Sequence, residues 1–176
     1  IATESERLTI VPHGLPYHRK TGSRMLDTLL VVAGETARHF RCTVALDESY
    51  PLETARSVLS PVLVEPVTGT PRGGQTGWLL HLDARNVQLT QLREVHPWKV
   101  ATDEGELPVE GPGFAVRLIE TEGRSRPIRL RCFRQPLRAR VVDLAGETVR
   151  ELPIEDDSVM ITLVEYEVAD VELWFG

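Results

Sequence analysis

The residues of this chain that could do chemistry do not form a catalytic pattern. Of five histidines, only His13 and His18 are close together, and the intervening sequence GLPY excludes the helical i, i+4 spacing of a metal site. No serine stands in a GxSxG motif, and Cys42 and Cys132 each lie in an alternating, strand-like segment where an activated thiolate is not expected. We therefore predict no catalytic residue, no metal ligand and no cofactor within this chain.

One carboxylate pair has a spacing that glycoside chemistry could use. Glu120 and Glu122 lie two apart on one face of a predicted strand, and the two carboxylates of a glycosidase stand about 5 to 9.5 Å apart across a sugar. Most acidic strands offer such a pair without any catalytic role. We therefore expect these two side chains to be structural or solvated.

Aromatic and polar side chains indicate where a ligand could bind instead, because an exposed indole offers a flat π face to the C–H side of a pyranose. Trp78 shares its parity with Leu80 and Leu82 and is expected in the core. Trp98 lies in a polar segment, and Trp174 shares its parity with acidic residues near the chain end. His81 and Asp83 share one strand face and could both contact a ligand, although such pairs more often face solvent. The candidate ligand-binding residues are therefore Trp98, His81, Asp83 and Trp174.

The charge distribution argues against two classes of partner. The chain has 176 residues, a net charge of −6 and a pI near 5.4, whereas nucleic acids and anionic membranes attract positive surfaces. Residues 115–140 hold eight Arg and two Glu, and residues 141–176 hold one Arg and ten acids. Because these segments carry opposite charge, we predict that they form cross-strand ion pairs on a solvated face.

The composition is that of an ordinary globular chain, with 41% apolar and 26% charged residues. No apolar run approaches the ~18 residues of a membrane helix, and no signal-peptide pattern is visible. We therefore expect a soluble domain and assign it to no compartment. A start at Ile1 rather than at Met suggests a piece of a longer protein.

Hydrophobic alternation with a period of two is the main structural signal. FRCTVALD, residues 40–47, predicts a strand with its apolar residues turned inward, and LLVVA, residues 29–33, predicts a central strand that forms a hairpin with it. A second hairpin is predicted between residues 78–82 and 87–91, and the segment 51–61 predicts one or two helical turns. Both cysteines are expected to be buried and free, with a single disulfide between them as the alternative.

These strands predict an all-β fold, an antiparallel β-sandwich or supersandwich with at most one or two short helical turns. We predict a β-rich sandwich region over residues 1–98, a connector over 99–112 and a small terminal β-sandwich over 113–176. The connector is rich in Pro, Gly and acidic residues. The two sandwich regions are able to pack as one unit.

The order of several segments resembles one protein family. MLDTLLVVAGETARHFRCTVALDESYPLETA, GWLLHLDARNVQLTQL and above all GFAVRLIETEGRSRPIRLRCFRQPLRARVVDLAGE, followed by VADVELWF, resemble the C-terminal β region of glycoside hydrolase family 38, the α-mannosidases. The resemblance runs from about Met25 to Phe175. It implies an all-β region that follows the catalytic part of a retaining enzyme. In that family the zinc ligands and the nucleophilic aspartate lie in an N-terminal α/β domain and the helical region after it, whose motifs have no match here.

Two functions from different classes follow. The preferred expectation is a non-catalytic C-terminal β-sandwich region that packs against the catalytic domain of the same polypeptide and completes an α-mannosidase-like glycoside hydrolase, with zinc in that other domain. It implies a large surface left bare in the isolated chain. The alternative is a carbohydrate-binding module with its own site for mannose-containing glycans, marked by an exposed Trp98 or Trp174 beside Asp, Asn or Arg.

Overall fold

A computed structural model describes much of the chain and shows an all-β protein. The described residues are 7–23, 25–60, 62–66, 68–69, 76–95, 99–102, 105–108 and 111–176, with the backbone alone for 99–102 and 105–108. The chain divides into two compact units, Ile1–Glu65 and Pro66–Gly176. Its described elements are antiparallel strands and one short helix, so the predicted fold class is confirmed.

The first unit consists of two small ribbons and a helix. Its elements are β1 (Leu8–Pro12), β2 (His18–Lys20), β3 (Leu26–Thr28), β4 (Cys42–Leu46) and α1 (Pro51–Leu59). Strand β1 pairs with β4, and β2 pairs with β3. The helix begins with proline, whose fixed φ suits the first helical turn, and it lies where one or two turns are predicted.

The second unit contains two larger sheets. Its strands are β5 (Leu80–Leu82), β6 (Val87–Val95), β7 (Lys99–Thr102), β8 (Gly105–Pro108), β9 (Gly113–Glu120), β10 (Arg126–Cys132), β11 (Arg138–Val142), β12 (Thr148–Glu151), β13 (Ile154–Glu155), β14 (Ser158–Leu163) and β15 (Val168–Trp174). One sheet has the order β13-β14-β10-β5, and the other has the order β12-β11-β15-β9-β6. Strands β7 and β8 form a separate hairpin.

The core of the second unit joins the two sheets. Leu118 of β9 and Val171 of β15 belong to the same apolar cluster as Leu130 of β10 and Val159 of β14, and all four are fully buried. Burial of one such side chain contributes about 1.5 to 3 kcal/mol. The alternation of β10 puts Arg129 and Arg131 on the opposite face from Leu130, so the core fixes which side of the sandwich carries these charges.

Both hairpins predicted before residue 98 are wrong. Residues 29–33 form no strand and are exposed, because the sheets found among the described residues of the first unit are two-stranded ribbons, which have no central strand. Strands β5 and β6 do form, but β5 pairs with β10 and β6 pairs with β9. Their connection crosses from one sheet to the other, and its residues Ala84 and Asn86 are buried.

The division of the chain also lies elsewhere than predicted. The boundary between the units falls after Glu65, and β5 and β6 pair with strands of the terminal sandwich. Part of the predicted connector, residues 99–108, forms the β7–β8 hairpin. Since Pro, Gly and acidic residues occur in tight turns as well as in linkers, composition could not distinguish the two.

The two cysteines differ in their surroundings. Both are free, but Cys132 is fully buried between the sheets and Cys42 is exposed on β4. The prediction of free thiols is confirmed, and the prediction that both are buried is wrong for Cys42. The cause is the orientation of β4, whose Cys42, Val44 and Leu46 face outward.

Candidate functional site

The basic stretch of the sequence, residues 115–140, pairs with acidic residues of neighbouring strands. Arg117 of β9 donates from Nε and Nη2 to the two carboxylate oxygens of Asp170 on β15, at 2.8 and 2.7 Å. Glu172 lies two residues after Asp170 on β15. Arg140 of β11 donates from Nε and Nη2 to Glu172 Oε2 at 3.0 and 2.8 Å. The hydrogen bond and charge of Arg117 lower the pKa of Asp170. The outer face of the five-stranded sheet is thus a layer of cross-strand ion pairs, as predicted, but Glu172 in this layer is buried rather than solvated.

Trp174 lies within this layer and is buried. Its exposed fraction is 2%, and it packs with Val95 and Ala115 in a small apolar cluster. The guanidinium carbons of Arg140 and Arg138 lie 4.9 and 5.9 Å from the centroid of its ring, within the range of cation–π attraction. Parity puts Trp174 on the outer face correctly, but the layer of side chains covers it there. Little of this ring is left for a ligand.

A pocket of about 430 Å³ opens beside the ion-paired layer. It is lined by Arg117, Val142, Asp143, Leu144, Val168 and Asp170. Arg117 and Asp170 bind each other. Asp143 Oδ1 accepts the backbone N–H groups of Ala145 and Glu147 at 2.9 Å each, which holds the β11–β12 turn. The polar groups of this pocket therefore already serve to hold the sheet together.

Glu120 is a buried carboxylate that ties three turns together. Its oxygens accept hydrogen bonds from Asn86 Nδ2 at 2.9 Å and from the backbone N–H groups of Glu122, Gly123 and Tyr166 at 2.9, 2.7 and 3.0 Å. Burial acts to raise the pKa of Glu120, but these four hydrogen bonds together outweigh it and lower the pKa to about 2. The side chain therefore stays ionised at neutral pH and is held in a structural role.

A different group of side chains meets on the outer face of the four-stranded sheet. Arg131 of β10 donates from Nε to Asp157 Oδ2 at 2.8 Å, and its guanidinium carbon lies 5.1 Å from the centroid of the Trp78 ring. Trp78 is 48% exposed, and His81 of β5 is the cross-strand partner of Arg131. Hydrogen bonds from Arg131 and Ser158 lower the pKa of Asp157. We call Trp78, His81, Arg131 and Asp157 the Trp78 cluster.

The predicted ligand-binding residues are separated by the fold. His81 belongs to the Trp78 cluster. Asp83 Oδ1 instead accepts the backbone N–H of Arg129 at 2.8 Å, so this side chain extends the β5–β10 pairing. Trp98 lies outside the described residues. The prediction that Trp78 lies in the core is wrong, because Trp78 precedes β5, which begins at Leu80, and does not share the alternation of that strand. The glycine-rich sequence just before Trp78 is the signal that the strand begins later.

The β1–β4 ribbon of the first unit has one entirely apolar face. The cross-strand partners on this face are Leu8 with Leu46, Ile10 with Val44, and Pro12 with Cys42. Val44 and Leu46 are 60% and 67% exposed, which contradicts the prediction that β4 turns them inward. The reason lies on β1, where Val11 has the opposite parity and is the buried residue. We call the six residues of the three cross-strand pairs the ribbon face: Leu8, Ile10, Pro12, Cys42, Val44 and Leu46.

The described residues hold no group of three or more His, Cys, Asp or Glu side chains that could bind a metal ion. His13 Nε2 lies 2.8 Å from Thr43 Oγ1, and His18 Nδ1 lies 3.1 Å from Thr28 Oγ1, so the two histidines of the close pair each contact a threonine. Among the helices that the structure describes, none has the length and apolar character to cross a membrane.

The fold and its surfaces define a class of protein: an all-β chain whose second unit is an antiparallel sandwich with ion pairs on both outer faces. Comparisons with protein-family models, with curated proteins and with solved structures found no match. The resemblance to glycoside hydrolase family 38 therefore rests on the sequence segments alone.

Proposed function

We propose that this chain is the non-catalytic C-terminal β-sandwich region of an α-mannosidase-like glycoside hydrolase. It packs against the catalytic domain of the same polypeptide and completes the enzyme. The parent enzyme is a retaining glycosidase whose zinc ligands and nucleophile lie in that other domain. The resembling sequence segments follow one another in the family's order between Met25 and Phe175, and this order supports the proposal. The all-β fold, which the resemblance implies, also supports it.

The observation that carries the proposal is the ribbon face. A two-stranded ribbon is at best marginally stable in water, and burial of one Val or Leu side chain contributes about 1.5 to 3 kcal/mol. Val44 and Leu46, more than half exposed, would gain part of that stabilisation under a covering surface. Exposed apolar patches mark interaction sites, and the covering surface that the resemblance implies is the catalytic domain.

The buried and paired carboxylates support a structural rather than a catalytic role. A glycosidase needs a general acid with a raised pKa. The pKa of Glu120 is instead lowered to about 2 by hydrogen bonds that outweigh its burial. The pKa values of Asp157 and Asp170 are lowered mainly by hydrogen bonds from Arg131 and Arg117. These groups are held as anions that connect strands and turns.

The experiment is a reconstitution of the two parts of the polypeptide. The catalytic domain encoded in the same reading frame is produced separately and mixed with this chain, and zinc-dependent hydrolysis of 4-nitrophenyl α-mannopyranoside and co-elution on gel filtration are measured. We expect the chain alone to be inactive and the mixture to co-elute with raised activity. Val44→Glu should weaken the association at least tenfold.

Val62→Glu is the matched control, because Val62 is also an exposed valine of the first unit but lies outside the ribbon face. It should associate like the unchanged chain. The proposal fails if the reading frame encodes no α/β zinc-binding domain, if the two parts do not associate, or if both glutamate variants behave alike.

A further inference from the structure

We propose that the Trp78 cluster is a binding site for a neutral glycan built of pyranose sugars. The site lies within the second unit, on the outer face of its four-stranded sheet. It would exist whether or not the chain is part of a glycosidase, so the inference does not depend on the proposed accessory role.

The stacking surface is the indole ring of Trp78. The guanidinium of Arg131 lies over the ring, with its central carbon 5.1 Å from the ring centroid, and this contact restrains the orientation of both side chains. The side chain is nevertheless 48% exposed. A restrained aromatic ring with open surface can accept the C–H face of a pyranose with little loss of rotamer entropy.

The hydrogen-bonding groups for sugar hydroxyls surround this ring. Arg131 uses Nε for Asp157, and within the described residues its two Nη groups have no hydrogen-bond partner, so they can donate to neighbouring hydroxyls. His81, opposite Arg131 on β5, is exposed and offers one donor and one acceptor. Asp157 is held ionised and can accept further hydrogen bonds beside the guanidinium.

The charge of this face favours a neutral ligand. Arg131 pairs with Asp157 at 2.8 Å, and Arg129, two residues earlier on the same strand face, lies 3.6 Å from Glu155. Each cation therefore has an anion beside it, and the face carries no excess positive charge that would select a sulfated or uronic saccharide.

The strand that carries Arg131 is a rigid support. Strand β10 is paired on both sides, with β14 and with β5, and its inward residues Ile128, Leu130 and Cys132 are fully buried. Binding sites are held more firmly by such strands than by loops. Asp157 is placed by the β13–β14 turn, where Ser158 Oγ donates to its Oδ1 at 2.9 Å.

The test is an NMR titration of the isotope-labelled, full 176-residue chain. The probes are α-1,2-, α-1,3- and α-1,6-mannobiose, cellobiose and maltose as neutral disaccharides, and heparin disaccharide as the anionic one. We expect saturable shifts of the Trp78 indole N–H and of the amides of His81 and Arg131 with at least one neutral probe at about millimolar concentration, and weaker binding of the anionic probe.

Variants locate the site. Trp78→Ala should weaken binding of the best neutral probe at least tenfold, and Trp78→Phe, which keeps a stacking ring, should recover most of it. Tyr17→Ala is the control, because Tyr17 is a half-exposed aromatic residue of the first unit, and it should bind unchanged. Amide spectra of the free variants verify that each remains folded.

Three results would overturn the inference. These are no saturable shift with any neutral probe, tighter binding of the anionic probe than of every neutral one, and binding that survives Trp78→Ala. None of them bears on association with a catalytic domain, so failure of the glycan site is distinguishable from failure of the accessory role.

Discussion

Arg140 binds Glu172 and lies over the ring of Trp174 at the same time. Its Nη2 is 2.8 Å from Glu172 Oε2, and its guanidinium carbon is 4.9 Å from the ring centroid. The carboxylate of Glu172 is almost completely buried. Arg129, in the same basic stretch of sequence, lies 3.6 Å from Glu155 in a pair that is more than half exposed on both sides. The arginines of this stretch therefore occupy two different environments.

Arg140→Ala should be clearly destabilising, because it leaves the buried carboxylate of Glu172 without its main partner and uncovers Trp174. We expect a loss of about 2 kcal/mol in the free energy of unfolding, measured by urea denaturation followed by tryptophan fluorescence. Arg129→Ala, which breaks an exposed pair, should cost less than about 1 kcal/mol. Equal losses for the two variants would mean that burial of the pair does not matter.

Glu120 should be essential for the turns that it connects. Glu120→Gln replaces one accepting oxygen by an amide that faces backbone donors, and we expect it to cost about 2 to 3 kcal/mol. The matched control is Glu122→Gln, two residues along the chain and only partly buried, with an expected change within about 0.5 kcal/mol. Urea midpoints of the two variants check this, and a small loss for Glu120→Gln would show that the four hydrogen bonds add little.

The stability of the chain should fall in acid, with Glu120 as a main cause. Its pKa in the folded state is about 2, below the usual value of about 4.3, so folding favours the ionised carboxylate. This stabilisation is complete above about pH 5, decreases as the pH falls below the unfolded-state pKa, and is lost by about pH 2, with a total of up to about 3 kcal/mol.

Urea titrations between pH 7 and pH 2 measure this loss. The lowered pKa values of Asp170 and Glu151, caused chiefly by hydrogen bonds from Arg117 and Arg138, act in the same direction. Glu120→Gln should have a shallower acid limb than the unchanged chain. An identical acid limb in the two proteins would assign the acid loss to other carboxylates.

The terminal sandwich could be predicted from sequence because its alternation matches its burial. In β10 the residues Ile128, Leu130 and Cys132 alternate with arginines, and the structure buries the first set and exposes the second. Periodicity also predicted a β-sandwich region after residue 112, and the described residues there form antiparallel strands. It could not give the partners of β5 and β6, since a buried sheet-to-sheet connection and a hairpin turn have similar local sequences.

Sequence reasoning failed where burial depends on what covers a residue. Trp174 shares parity with Asp170 and Glu172, as predicted, but Arg138 and Arg140 from a neighbouring strand cover it. On β4 the apolar residues are outside because Val11 of β1 fills the inner side. Alternation shows which residues share a face of a strand, and only the tertiary contacts show which face is buried.

The two cysteines should react at very different rates. Cys42 is exposed, whereas Cys132 is buried, and burial together with the nearby charge of Asp157 raises the pKa of its thiol to about 11. Since the thiolate is the reactive form, iodoacetamide at pH 8 should modify Cys42 first in the native chain. Mass spectrometry of the intact protein and its peptides should find Cys132 modified only after unfolding in urea, and equal native rates would contradict the buried position.

The β11–β12 turn should require glycine at residue 146. Gly146 has φ of 86°, and its N–H donates to the carbonyl oxygen of Asp143 at 3.0 Å, while a Cβ added there would meet no atom within 4 Å. Gly146→Val should therefore be destabilising through backbone strain alone, by about 1 to 3 kcal/mol. Gly146→Asn should lose less, because asparagine tolerates positive φ.

Gly77→Val is the control, since Gly77 has equally open surroundings and no positive φ, and it should change stability by less than about 0.5 kcal/mol. Thermal and urea midpoints of the three variants separate backbone strain from side-chain contacts, because a Cβ added at either glycine would have no atom within 4 Å. If Gly146→Val and Gly77→Val unfold at the same midpoint, the turn does not depend on the left-handed conformation at residue 146. If Gly146→Val alone is destabilised and Gly146→Asn restores most of the loss, the conformation of this one residue holds β12 in register with β11.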